Sequence, residues 1–409
     1  MLRKIPQTYN QESRVLLLSM RHLKFHVARC SPYEFEDVIS DCDTIDVIKP
    51  IFDPTVFKVT NKLANYAAKI LRNGKFIPSL VNYKFQVDKE YDVFLFICQS
   101  IQDILVLNSI KGWREKCRYA ICWLDEIWAK DIDSWRVQLQ LLKDFNHIFM
   151  NLNGSIDRVA EIVQRPCHFL TFGVDAVKFC SDPLKINRCI DVYSIGRRSA
   201  VTHKALLELA QRQPFFYIYD TIKDLYMVDY QEHRHLYTNL VKRSRYMIVN
   251  KAKFDLYGQT NLQEEVGPRF FEGAAGGTVM LGVSPKCEAF TNNFDWQDAV
   301  IDIPFDCTNI GDIIADLNAQ PERLAKIRRD NVVNSLLRHD WVYRWERILT
   351  TVGLDITPQM LERKTYLQNL AEIINTSGSD TSELLISDSH KSSHNTSNVE
   401  KTKVLTTNS

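Results

Sequence analysis

The densest concentration of chemistry-bearing residues is EEVGPRFFEGAAGGTVMLG (264–282), which holds five of the chain's fourteen glycines. Glycine crowding of this kind marks close backbone approach, and Pro268 suits the first turn of a helix. A helix opening near Gly267, just after a loop, would aim free N–H groups and the positive end of its dipole at an anion. Arg269, one residue further in, adds a phosphate candidate. Glu264 would lie in the loop and Glu272 about a turn inside the helix, both in reach of one ligand and both able to accept from hydroxyls. The competing reading is a glycine-rich helix packed closely on a strand, with its glutamates in solvent.

Other candidates stand at predicted strand ends. Arg197 follows IDVYSIG (190–196) and Lys204 falls in the next helix, so both could converge on phosphate. WLDEIW (123–128) offers Asp125 and Glu126 at the carboxyl end of a strong strand, where open α/β sheets hold functional groups; a helix-capping aspartate is the alternative. His22 and His26 follow the first strand, where a histidine could orient a hydroxyl or simply pack at the surface. Asp41-Cys42-Asp43 and Asp131-Ile132-Asp133 read as loop and cap residues, so no metal and no cofactor are expected. His233-Arg234-His235 lacks the companions of a zinc site and reads as surface.

These residues need a scaffold. Buried-strand runs at 14–20, 91–98, 118–125, 147–152 and 167–172 alternate with helix-length segments at 56–74 (capped by Gly74), 101–113 and 155–163 (opened by Ser155). After a polar link at 173–189 the alternation restarts, with strands at 190–196, 215–220, 245–250 and 278–282 and helices at 199–212, 236–244 and 268–276. This predicts an α/β protein of two doubly wound Rossmann-like domains, 1–180 and 181–335, facing across a cleft. Residues 336–373 would be helices returning to the first domain through Trp341 and Trp345, and the Ser/Thr-rich 374–409 a disordered tail.

The composition is ordinarily globular, 45% hydrophobic and 25% charged over 409 residues. Lys+Arg (51) nearly cancels Asp+Glu (50), which argues against nucleic acid as partner. No apolar run approaches a membrane span, the N-terminus does not read as a signal peptide, and ten scattered cysteines read as reduced thiols, so a cytoplasmic location is expected. Arg338, Arg344 and Arg347 beside the two tryptophans leave weak peripheral membrane association as an alternative to packing.

Glu264-x7-Glu272 with its small-residue run resembles the signature of GT-B-fold glycosyltransferases of the "glycosyl transferases group 1" type, and is similar to bacterial spore-protein glycosyltransferase-like members. FLTFGVDAVKF (169–179) and SIGRRSAVTHKALLELA (194–210) share the resemblance, which covers roughly 165–350. It implies a hexosyltransferase-like enzyme that moves a sugar from a nucleoside-diphosphate sugar to an acceptor hydroxyl, with retention and without a metal. Arg197, Lys204, Gly267 and Arg269 would then hold the diphosphate, Glu272 the ribose hydroxyls and Glu264 the transferred sugar, with 253–263 bordering the nucleotide. Asp125, Glu126 and His22 are the first domain's catalytic candidates. The acceptor (glycan, lipid-linked or protein) stays open. The first strand lacks the glycine-rich loop many relatives carry, which keeps a second reading in play: a non-catalytic nucleotide- or glycan-binding protein on a decayed GT-B scaffold.

Overall fold

A computed structural model describes residues 12–51, 53–75, 85–180, 186–220, 227 and 229–389. The first domain is built on a parallel sheet of β1 (Val15–Leu18), β2 (Ile45–Ile48), β4 (Tyr91–Ser100), β6 (Cys117–Glu126), β7 (His147–Met150) and β8 (Cys167–Phe169), ordered β2-β1-β4-β6-β7-β8. Short strands β3 (Phe85–Gln86) and β5 (Ile110–Lys111) pair separately. Helices α1 (Cys30–Cys42), α2 (Pro54–Leu71), α3 (Arg136–Leu139) and α4 (Ile156–Val163) flank this sheet. Val93 to Cys98 and Ala120 to Leu124 are almost wholly buried, as continuous apolar runs in a central parallel sheet must be.

After α5 (Ala176–Phe179) comes a second parallel sheet, β10-β9-β11-β12-β13, made of β9 (Ile190–Ser194), β10 (Tyr217–Tyr219), β11 (Ser244–Asn250), β12 (Val279–Val283) and β13 (Ile301–Asp302). Its helices are α6 (Ala200–Arg212), α7 (Tyr230–Lys242), α8 (Tyr257–Thr260), α9 (Pro268–Ala275), α10 (Glu288–Asn293) and α11 (Ile310–Asn318). In both sheets the second strand lies on one side of the first and the next long strand on the other. The loops after β1 and β4, and after β9 and β11, therefore part to opposite faces and open a crevice at each sheet's carboxyl edge. The chain is thus an α/β protein of two doubly wound domains.

Helix α12 (Pro321–Arg338) packs on α9 of the second domain, and α13 (Trp341–Thr351) and α14 (Pro358–Ser389) return to α1 of the first. Trp341 stacks on Phe35 with centroids 4.6 Å apart and meets Trp123 edge-on, while Trp345 donates to Asp43 at 2.9 Å. The docking site is Gly173-Val174-Asp175. A Cβ on Gly173 would lie 2.6 Å from the Trp341 ring, Val174 exchanges backbone hydrogen bonds with His339 and Trp341, and Asp175 pairs with Arg363 at 2.7 Å. The tryptophans and Arg344 are buried, so packing rather than membrane contact occupies this face.

Several local expectations change. Residues 101–113 form a 3-10 helix only to Ser109 before β5 begins. Helix α2 ends at Arg72 in the left-handed region (φ 53°) rather than at Gly74. Ser155 stands at the N-cap of α4 as expected, but its hydroxyl makes no capping bond and donates to the Ile127 carbonyl. From 374, expected as a disordered tail, the backbone stays helical to Ser389: propagation adds a hydrogen bond per residue once a helix is nucleated, and α14 is anchored by Met360, Leu367 and Ala371. Residues 390–409 lie outside the described residues.

Candidate functional site

The carboxyl ends of β4, β6 and β7 bring Gln99, Asp125 and Asn151 together. Asp125 is 5% exposed and accepts from the amides of Asn151 and Gln99. Burial, reinforced by the neighbouring Glu126 charge, pushes its carboxyl up to about 7, so it holds or releases a proton near neutrality. It is not a helix cap, since the chain runs on to Trp128 before the next helical turn. Glu126 is the opposite case. Burial works against its charge, but Lys253 at 2.7 Å and the Trp128 indole at 3.0 Å outweigh it and hold the pKa below the usual carboxylate range.

Lys253 belongs to the second domain, so its pair with Glu126 crosses the cleft at the switch point of the second sheet. Arg197, half exposed in the turn after β9, faces Asp255 at 3.8 Å from the loop after β11, and its charge also reaches Glu126. Gly196 adopts φ 80°, which a residue with a Cβ would resist, and leaves open space where that Cβ would stand. Beside it Arg198 pairs with Asp220 at 2.5 Å and lies over the Tyr219 ring. It edges a narrow pocket with Thr202, His203, Tyr217 and Asn250.

Helix α9 starts as the sequence predicts, with Gly267 at its N-cap, Pro268 in its first turn, no capping side chain, and nothing within 4 Å of where a Gly267 Cβ would be. Burial raises the pKa of Tyr193, near the end of β9, with Arg269 opposing and Asp220 and Glu272 adding to the rise. These charges thus surround one point. Arg269, a third exposed, is the cation of α9 that reaches solvent.

Glu272 departs from expectation. It is 1% exposed, and its two oxygens are taken by Arg234 at 2.5 Å, Arg269 at 2.6 Å and the Tyr237 hydroxyl at 2.8 Å. Despite burial, the two arginines hold its carboxyl below the usual range. In this structure it serves as a buried counter-ion to the two arginines. Arg234, read from sequence as surface, is the buried centre of this cluster and also pairs at 2.7 Å with Glu34 of α1, joining the two domains. Cys30 touches the Met227 sulfur and lies 3.4 Å from His233 at the same junction, its thiol pushed up to about 12 by burial.

Lys204 also departs. Thr202 and Leu206, four apart, take the inward face of α6, and a residue two from each points the other way. Lys204 is accordingly 79% exposed and faces Glu208. Glu264 is half-buried; burial is the largest single influence and would raise its pKa, but the bonds to Lys251 and to the backbone N–H of Lys286 together outweigh it and lower the pKa. Glu265, its buried neighbour, instead crosses the cleft to the backbone N–H groups of Asn153 (3.1 Å) and Gly154 (2.9 Å). The 253–263 loop bonds the first domain as well, through Lys130 to the Gly258 carbonyl and Ala129 to Gln263. His22 stands apart, exposed, its pKa lowered by partial burial and by Lys49 and Arg21. The loop after β1 is pinned by ion pairs where glycines were missed, Arg21 on Glu36 and both Lys24 and Arg29 on the buried Asp103.

Asp41 ends α1 beside Asp43, which is committed to Arg14, and Asp133 pairs with Arg158. Among the described residues no group of three or more His, Cys, Asp or Glu side chains could hold a metal, and no helix is long and apolar enough to cross a membrane.

No family model and no curated protein matches the chain. Among solved structures it is similar to Anabaena HepE in complex with UDP-glucose, at 14% identity over 83% of this chain and 99% of that one, with a TM-score of 0.47. It is similar to an alpha-glucosyltransferase in complex with UDP and a 13-mer DNA containing a central A:G mismatch (12% identity, 83% and 99% covered, TM-score 0.47). An S. aureus MnaA–UDP structure is a third (8%, 83% and 96%, TM-score 0.44). At these identities the site's chemistry rests on its own residues.

Proposed function

We propose that the protein is a glycosyltransferase that moves a sugar from a nucleoside-diphosphate sugar to an acceptor hydroxyl in the interdomain cleft. The observation that carries this reading is that the carboxyl edges of the two sheets meet across the cleft, where Glu126, next to the buried Asp125, pairs with Lys253 and lies within reach of the Arg197 charge. Arg197, Arg269 and the open N-terminus of α9 at Gly267 suit a diphosphate, whose charge grows as the sugar leaves. These fixed positive groups are the support for a metal-independent reaction. Asp125 would bind and orient the acceptor hydroxyl, and Glu126, neutralised by Lys253, would hold the cleft's geometry. Glu264 remains the carboxylate for the transferred sugar, released from Lys251 when donor binds.

Retention belongs to the same reading: the acceptor approaches the face the diphosphate leaves, and its proton passes to the leaving oxygen. Incubation with UDP-, GDP- and ADP-sugars, followed by NMR of the anomeric signals, tests it. A sugar product or donor hydrolysis that disappears in Asp125→Asn supports transfer, and an inverted product would make Asp125 an in-line base. The loop after β1, which holds ion pairs in place of a glycine-rich turn, favours a second reading, a non-catalytic binder of nucleotide or glycan. Tight diphosphate binding with no donor turnover across the whole panel would select it.

A further inference from the structure

Helix α2 is patterned inside out. Its inward face carries small or polar residues, Asn61, Ala64, Asn65 and Ala68, with Phe57 alone among them large. Its outward face carries Val56, Val59, Leu63, Tyr66 and Ile70, each 47% to 67% exposed. Their 3-4-3-4 spacing draws one continuous stripe about 20 Å long. Seven of the fifteen exposed large hydrophobic side chains among the described residues fall within 51–71. An apolar surface so concentrated marks a contact face.

The helix is not free to roll this stripe inward. Asn65 donates to the Gln102 carbonyl at 3.0 Å and accepts from the buried Gln138 amide at 3.0 Å. The Lys69 ammonium lies 4.0 Å above the Trp135 ring. Turning the helix over would strand these amides in an apolar interior, so the polar side is the anchored side.

Charge selects the occupant. Lys58 and Lys62 are exposed and, a turn apart, stand along one flank of the stripe, while the helix contains no acidic residue. A second copy packed stripe to stripe would set these like charges near one another at the contact. An anionic lipid surface satisfies both features, taking the aliphatic residues and Tyr66 into the acyl boundary and the lysines at the headgroups. We propose that α2 docks the first domain on anionic bilayers as an interfacial helix lying in the membrane plane.

The test is co-sedimentation of the full chain with vesicles of phosphatidylcholine alone or mixed with phosphatidylglycerol. Binding is expected only to the anionic vesicles, weakening as salt rises. Leu63→Glu/Ile70→Glu and, separately, Lys58→Glu/Lys62→Glu should each lower partitioning by about tenfold or more. Both should melt within about 2 °C of the parent, since every altered side chain is exposed. Equal binding to both vesicle types, or none to either, overturns the proposal. So does a concentration-dependent dimer abolished by Leu63→Glu/Ile70→Glu, which would identify a second copy as the occupant. A large loss of melting temperature in the same variant would mean that another part of this chain covers the stripe, and overturns it too.

Discussion

Replacing Glu272 by glutamine decides whether that carboxylate serves the interior or a ligand. The substitution keeps the shape and removes one negative charge from between Arg234 and Arg269. Breaking one partner out of a buried ionic cluster costs about 3–5 kcal/mol. Here the low end applies, because Arg234 keeps Glu34 and Arg269 already has a third of its side chain in water. A loss of about 3 kcal/mol corresponds to a melting temperature roughly 6–12 °C lower in a chain whose domains approach 200 residues. The pH dependence has a definite sign. Glu272 has a depressed pKa in the folded state, so its contribution is complete above the unfolded value of about 4.3 and is lost as pH falls through the folded value. The gap between parent and variant should therefore close in acid. Glu34→Gln removes the other carboxylate of the same Arg234, so the double variant strands a buried guanidinium and should be more destabilised than the two single losses added together. Thermal melts of the four proteins from pH 7 down to about pH 2, with titration of the nucleoside diphosphates at pH 7, read all of this. A variant that melts like the parent yet loses diphosphate binding would refute the counter-ion argument and restore Glu272 to the ligand.

Asp125→Asn should abolish turnover while leaving diphosphate affinity within about twofold; because its folded pKa of about 7 exceeds the unfolded 3.8, the native carboxyl destabilises the fold as pH rises, and the variant should gain stability over the parent, up to about 4 kcal/mol above pH 7, measured by denaturant melts across pH. Arg197→Ala should cost about 1.5–3 kcal/mol of diphosphate affinity by calorimetry, whereas Lys204→Ala should be silent; equal losses would mean that α6 turns its outer face to the ligand. Glu265→Ala removes the carboxylate that caps two backbone N–H groups of the opposite domain, so donor KM should rise as the cleft loses closure, and unchanged kinetics would show that the bridge is dispensable.

The two sheets were legible because a central parallel strand needs little beyond an unbroken apolar run, and YDVFLFIC and RYAICWLD have one. Helix α1 was not, and the reason lies in its surroundings. CSPYEFEDVISDC is buried on nearly every side, with Glu34 and Glu36 both inside, so it has no polar face to impose a helical period. The four-residue β2 was too short to stand out. Helix α2 was placed within a few residues, yet periodicity alone is indifferent to which face turns outward, and the buried side was fixed by amides that only the fold supplies.

The site divides along the same line. Gly267, Pro268 and Ser199 act on their own turns: the first two open α9, and Ser199 accepts from the amides of Val201 and Thr202, so local sequence sufficed. Glu264 and Glu272 were correctly placed on loop and helix, but spacing measures reach and says nothing about competitors. Glu272's competitors stand 38 and 3 positions away, and Arg234 is made a buried residue by Glu34, 200 positions from it. A charge read without its partner is assigned to solvent, because that is its cheapest single-residue state. His233-Arg234-His235 shows how this fails at a domain boundary. Two carboxylates from different domains make the interior the better place for one guanidinium, and the contact then couples the domains. The acidic residues that the sequence offered as ligands are therefore of two kinds, those that hold the halves together and those left to meet a substrate. Among the carboxylates of the cleft, Asp125 and Glu265 have neutral amide partners rather than a cation, and Glu265 spends its oxygens on bridging the domains, which leaves Asp125 to exchange a proton.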